Sequence, residues 1–124
     1  MLADRKLVAF VPTTDPDRAL GFYRDVLGLN LIEDQRPFAL EFDARGTMLR
    51  VTIVREWKPA EFTVLGWEVD DIRTDLASLT ARGVRFERYP FVEDEAGVWT
   101  APGGTMVAWF KDPDGNTLSL QQSA

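Results

Sequence analysis

The same order of elements is written twice in this chain, and that repeat limits its possible folds more than any other feature. Val8-Ala9-Phe10 matches Leu65-Gly66-Trp67, and Gly28-Leu29 matches Gly83-Val84. Gly46-Thr47-Met48-Leu49-Arg50-Val51 matches Gly115-Asn116-Thr117-Leu118-Ser119-Leu120. Each half therefore reads β-α-β-β-β. A four-stranded sheet with one helix on one face leaves its other face uncovered. Two such units solve this by turning their sheets around a shared cleft. The expected fold class is α/β, more narrowly α+β, with two βαβββ modules forming an open eight-stranded cleft. At 124 residues the chain is expected to be a single domain spanning 1–124. Module one is expected at about 6–54, a connector at 55–63 and module two at about 64–121.

Local signals place the elements. Lys6 to Val11 reads as a short buried strand that Pro12 ends. Asp15-Pro16 is a helix start, an acidic N-cap followed by proline at the first helical position. Leu20, Tyr23, Val26 and Leu27 recur at helical spacing, and Gly28 supplies the left-handed stop. Strands are expected over Leu29–Asp34, Phe38–Phe42 and Met48–Val54. In the second half, Val64 to Val69 is a strand, and Asp70 or Asp71 caps a helix carrying Ile72, Leu76 and Leu79 on its apolar face. Gly83 ends that helix. Val84 to Arg88 is a strand, a longer acidic loop follows, and Val98 to Ala101 is extended. Thr105 to Lys111 and Thr117 to Gln121 form a hairpin around Asp112-Pro113-Asp114-Gly115, whose second-place proline and fourth-place glycine suit a type I turn.

Composition narrows the chemistry. There is no cysteine, so disulfides and thiolate chemistry are excluded. There is also no histidine, which removes the commonest metal ligand and the commonest general base near neutral pH. A formal net charge of −6, spread along the chain, disfavours nucleic acid, whose phosphates need a basic face. No apolar run approaches the ~20 residues needed to span a bilayer, and no signal-peptide core follows the N-terminus. A cytoplasmic location without a membrane partner is expected.

One long stretch and one set of three shorter stretches carry a resemblance. One is Asp15-Pro16-Asp17-Arg18-Ala19-Leu20-Gly21-Phe22-Tyr23-Arg24-Asp25-Val26-Leu27-Gly28-Leu29. The other comprises Glu68-Val69-Asp70-Asp71-Ile72, Gly83-Val84 and Trp109-Phe110-Lys111-Asp112-Pro113-Asp114-Gly115-Asn116. Together they resemble the vicinal oxygen chelate superfamily, the glyoxalase / bleomycin-resistance / extradiol dioxygenase group, over nearly the whole chain. The resemblance implies paired βαβββ modules, small-molecule binding and a homodimer. It also implies, for metal-using members, a histidine early in the first strand of each module and a carboxylate in the last. This chain departs from that pattern. Leu7 and Val64 lie about where the histidines would be. Ser119 stands in the place of one closing glutamate, and Arg50, or Thr52 one pleat away, in the place of the other. Those side chains cannot supply the O/N shell of a catalytic divalent ion, so neither metal nor cofactor is expected.

Strand parity gives a map of the expected ligand site. If Leu7 and Val64 point inward, so do Ala9, Gly66 and Glu68, while Val8, Phe10, Leu65 and Trp67 pack under the helices. Thr117, Ser119, Gln121 and Trp109 share the cleft face, with Arg50 and Thr52 from the first half. Arg50 is a candidate to hold a carboxylate or phosphoryl group, or else to pair with Glu68. Glu68 is the one candidate for acid–base work, against an ion pair or a solvated strand edge. Glu41 and Glu56 lack the spacing of a carboxylate metal site. Trp109 is placed to stack on a flat or cationic ligand, with Trp99 and Trp57 at a rim or dimer contact.

Three readings of function follow. The leading one is a metal-free small-molecule binding protein like the bleomycin-resistance branch, its ligand aromatic or cationic. The second is an enzyme of the same fold, a lyase, isomerase or dioxygenase with atypical metal ligands or carboxylate acid–base catalysis. The third is a regulatory or structural module with an empty cleft, its pocket collapsed by Leu7, Val64 and Trp109.

Overall fold

The structure is a computed structural model that describes residues 1–124. The chain divides into two compact units, Met1–Lys58 and Pro59–Ala124, each built on its own four-stranded sheet. The first contains β1 (Val8–Thr13), helix α1 (Pro16–Leu20), β2 (Asn30–Gln35), β3 (Ala39–Ala44) and β4 (Thr47–Ile53). The second contains β5 (Thr63–Glu68), α2 (Ile72–Ala81), β6 (Trp99–Thr100), β7 (Met106–Lys111) and β8 (Thr117–Gln122). The sheet orders are β1-β4-β3-β2 and β5-β8-β7-β6. In both, the first strand lies parallel to the last and the remaining pairings are antiparallel. This is the α+β architecture of paired βαβββ units. No helix is long and apolar enough to cross a membrane.

The helix signals act as expected. The Asp15 carboxylate accepts from the Arg18 N–H at 3.1 Å, and Pro16 opens the helix. Past Leu20 the helix widens over Gly21–Val26, where the Leu27 N–H reaches back five residues to the Phe22 carbonyl. Gly28, at φ 77°, then turns the chain out of the helix, a conformation a Cβ would strain. In the second unit Asp71, not Asp70, is the cap, accepting from Thr74 N–H at 3.2 Å. That hydrogen bond holds the Asp71 carboxyl below its ordinary pKa.

Each sheet buries one face beneath its helix. In the first unit Val11, Leu40, Phe42, Leu49 and Val51 are fully buried with Ala19 and Tyr23 of the helical segment. In the second, Ala108, Phe110, Leu118 and Leu120 are buried with Ile72 and Leu76. Trp67 stacks on Phe110 at a centroid distance of 6.4 Å, so it belongs to this core.

Three expectations about strands need correction. Pro12 does not end β1; it lies inside it. β1 is at the sheet edge, where a residue without an N–H leaves no ladder bond unmade. The parity assigned to β1 is also reversed. Ala9 and Val11 align with the buried Leu49 and Val51, whereas Val8 and Phe10 align with Met48 and Arg50. Phe10, expected under the helix, is 61% exposed on the open face. Leu7 precedes the strand and is exposed. Finally, Val84–Arg88 is not a full strand. Phe86 makes a single bridge to Phe110, and the Glu87 N–H donates to the Trp109 carbonyl. The chain then leaves the sheet at Arg88 and returns only at β6, pairing again with β7. The edge strand is thus cut in two by the loop of residues 88–98.

The β7–β8 connection is a polar knot. Gly115 N–H donates to the Asp112 carbonyl, closing the turn. The buried Asp112 carboxylate accepts from the Asp114 N–H at 3.0 Å, the Asn116 N–H at 2.9 Å and the Asn116 side-chain amide at 2.8 Å. Removing that acceptor strands donors that cannot reach water. Asp112→Ala is expected to lower stability by about 3 kcal/mol, the loss of more than one hydrogen bond to a charged group. Urea unfolding followed by circular dichroism reads the shift in midpoint.

Candidate functional site

The face of the second sheet opposite α2 carries an aromatic cluster built from one strand row and one loop. Gly66, Ser119 and Trp109 are in register across β5, β8 and β7. Gly66 is there because nothing larger fits. A Cβ on it would lie 2.6 Å from Ser119 Oγ. With small residues beside it, the Trp109 indole leans across the sheet, and its Nε1 donates to Thr63 Oγ1 at 3.0 Å. That bond fixes the orientation of the ring.

The loop of residues 88–98 folds back onto this ring. Tyr89 and Phe91 stack on each other at 5.7 Å with planes 11° apart. Both meet Trp109 edge-on, at 5.6 and 5.7 Å. Trp99 lies 6.0 Å from Trp109 and meets Phe91 edge-on at 5.8 Å. Edge-to-face contacts of this kind add about 0.5–1.5 kcal/mol each beyond area burial. The Asp94 carboxylate anchors the loop, accepting from Arg73 on α2 and from the Ala96 and Val98 N–H groups. The Arg73 bond, then that from Val98, draws the Asp94 carboxyl below its ordinary pKa. Burial, then the charge of Glu87, raises the Tyr89 phenol.

Two pockets flank Phe91. One, of about 380 Å³, is lined by Glu61, Phe62, Thr63, Tyr89, Phe91, Trp109 and Thr117. The other, of about 400 Å³, is lined by Arg73, Phe91, Glu93, Asp94, Val98, Trp99 and Thr100. Phe91 itself is 56% exposed. The four rings thus lie beside concave surface, and aromatic faces are chemically suited to stack on flat molecules.

The residues singled out from sequence fall in different places. Gly66, Trp109 and Ser119 share the open face of the second sheet with Glu68 and Gln121. Glu68 stands five residues along β5 from Thr63, about 16 Å at strand rise, so it is not brought to the aromatic pockets. Its carboxylate accepts from Ser123 Oγ at 2.6 Å and is otherwise exposed. Val64 sits at the irregularity between Thr63 and Leu65, where the β5–β8 register shifts. In the first unit Arg50 and Thr52 do lie on the open face, alongside Phe10 and Pro12. Ala9 faces the core instead.

Arg50 pairs with Glu41, its cross-strand neighbour, and not with Glu68. Its Nη1 donates to Glu41 Oε2 and to Gln35 Oε1, both at 2.9 Å. Neither side chain of the pair is more than a third exposed, at 29% and 12%. Glu56 is exposed in the connector, apart from that pair. The positions that would carry metal ligands hold Leu7 and Arg50 in the first unit and Val64 and Ser119 in the second. No three Asp or Glu side chains gather where an ion could sit. This donor set does not fit a divalent metal.

Sequence reasoning missed Tyr89, Phe91, Thr63, Glu61 and Phe62. The available signal was Tyr89-Pro90-Phe91, two aromatic residues around a proline in a polar loop, where no core could claim them.

Two pairs of substitutions test these geometries. Gly66→Ala is expected to cost about 1–3 kcal/mol by overpacking, and Ser119→Ala in the same chain is expected to recover most of it. Arg50→Met is expected to cost about 2 kcal/mol by leaving Glu41 unpaired. The double variant Arg50→Met/Glu41→Met should be more stable than either single one. Thermal or urea unfolding of each set reads both effects.

Comparison with known proteins agrees with this architecture. The profile of the Glyoxalase/Bleomycin resistance protein/Dioxygenase superfamily matches residues 6–120. Among solved structures, TnmS3, an antibiotic binding protein from Streptomyces sp. CB03234, is 28% identical with a TM-score of 0.73, covering 100% of this chain and 99% of its own. A superfamily member from Sphaerobacter thermophilus DSM 20745 is 24% identical with a TM-score of 0.78, covering 99% and 100%. Lactoylglutathione lyase from Agrobacterium tumefaciens is 18% identical with a TM-score of 0.76, covering 97% and 94%. The last two are likenesses of fold alone. No curated protein matches the chain. On the match over residues 6–120 and the paired βαβββ sheets, the chain belongs to the Glyoxalase/Bleomycin resistance protein/Dioxygenase superfamily.

Proposed function

We propose that this protein binds a flat aromatic small molecule without a metal and without transforming it. The observation that carries the reading is the cluster of Tyr89, Phe91, Trp99 and Trp109 beside a pocket of about 380 Å³. That size lies within the range of small-ligand pockets. Trp109 is held by Thr63, so its ring is pre-set for stacking and little rotamer freedom is lost on binding. The side chains in the metal-ligand rows offer no donor set, which favours sequestration over metal-assisted chemistry. Glu68, the acid–base candidate read from sequence, stands far along its strand from the rings, and the carboxylate that lines this pocket is that of Glu61. The likeness to an antibiotic binding protein points the same way.

The proposal includes a homodimer acting in the cytoplasm. Exposed apolar side chains on the first unit, Val8, Phe10 and Ile32, support a partner surface. The lack of cysteine suits a reducing compartment.

The test is titration of tryptophan fluorescence with a panel of polycyclic aromatic antibiotics, followed by mass analysis of the recovered ligand. Quenching at micromolar ligand, with the ligand unchanged, is expected. Trp109→Ala should weaken binding by roughly tenfold or more, as the loss of a central aromatic anchor does. Undiminished affinity in Trp109→Ala would remove the site from this face. A chemically altered ligand would replace sequestration with catalysis.

A further inference from the structure

We infer that the second pocket, on the far side of Phe91, receives a cationic arm of the same ligand, so that the site is bipartite and selects protonated amines. The inference rests on the aromatic-ligand reading above and adds the chemistry of the substituent.

Phe91 lines both pockets, while Trp109 lines only the first and Trp99 only the second. The two indoles are 6.0 Å apart, so a ring seated on Trp109 reaches the face of Trp99 through a short alkyl chain. The two pockets differ in character. Rings and threonine hydroxyls dominate the first, with Glu61 at its edge. Three charged side chains line the second, Arg73, Glu93 and Asp94. Arg73 and Asp94 neutralise each other at 3.0 Å. Asp94 is further occupied by the Ala96 and Val98 N–H groups. Glu93 remains. Its carboxylate forms no ion pair, and Arg88 reaches only its main-chain carbonyl, at 3.5 Å. A pocket with one unbalanced carboxylate beside the rings of a Trp and a Phe suits an ammonium group, which gains from the charge and from neighbouring ring quadrupoles. An anionic arm would meet Glu93 with the only cation in the pocket already engaged.

The experiment uses two probes with the same ring and alkyl chain but a charged or a neutral nitrogen, 3-(2-naphthyl)propylamine and its N-acetyl derivative, titrated calorimetrically into the 124-residue protein at neutral pH. The amine is expected to bind about fivefold to tenfold more tightly, the usual size of a cation–π contact with a nearby counter-charge. Glu93→Gln should abolish that advantage and leave the affinity of the acetyl probe unchanged, while Glu61→Gln should preserve it. Equal affinities for the two probes, both weakened in Trp109→Ala, would overturn the cationic arm and leave the aromatic site standing. Loss of the advantage in Glu61→Gln but not in Glu93→Gln would place the ammonium in the first pocket and overturn the bipartite site. Failure of both probes to bind would overturn the aromatic reading and this inference with it.

Discussion

The pairing of the first strand with the last in each unit decides what the rest of the molecule can do. β1 lies parallel to β4, and β5 lies parallel to β8. These parallel pairs cannot be closed by a tight turn, so a helix and two strands must intervene. The helix covers one face, and the pairing register then dictates which residues stand on the other. Because side chains alternate, a slip of one residue would exchange the buried set for the open one. In the first unit the register buries Val11 against Val51 and leaves Phe10 beside Arg50. In the second it sets the half-buried Leu65 against the buried Leu118 and leaves Gly66 beside Ser119.

This explains how much was legible in the sequence. Helix caps and turns are local, and Asp15-Pro16, Gly28, Asp71 and the Asp112–Gly115 turn could be read from a few adjacent residues. The closing strands could also be read, because β4 and β8 alternate apolar and polar residues cleanly. β1 could not. Val8, Ala9, Phe10 and Val11 are all apolar, so alternation gives no parity, and aligning Phe10 with Trp67 set it one residue wrong. The equivalent of Phe10 in the second unit is Gly66, because Phe10 pairs with Arg50 as Gly66 pairs with Ser119. A proline expected to stop the strand reinforced the error, since at a sheet edge it costs no hydrogen bond.

The loop of residues 88–98 was illegible for a different reason. Val84 and Phe86 have the alternation of a strand, and both turn inward, yet the ladder is made at a single point. What pulls the chain away is long-range: Tyr89 and Phe91 against Trp109, and Asp94 against Arg73. Spacing along the chain carries no record of such contacts. Arg50 illustrates the same limit at shorter range. Its position on the open face was readable, but its partner was not, because Glu41 becomes its neighbour only once β3 and β4 pair.

The two halves have diverged at the one row where their faces differ most. In the first unit that row holds Phe10, Arg50 and Glu41, a large ring beside a closed ion pair. In the second it holds Gly66, Ser119 and Trp109. A side chain as large as Phe10 at position 66 would collide with Ser119 and fill the ground over which the Trp109 indole leans toward Thr63. The glycine is therefore what lets the indole lie across the sheet, and the interrupted edge strand is what brings Tyr89 and Phe91 onto it. Neither feature helps the sheet itself. Glycine weakens a strand, and a broken edge forfeits ladder bonds. Two local losses converge on one aromatic surface, and that surface is what sets the second unit apart from the first.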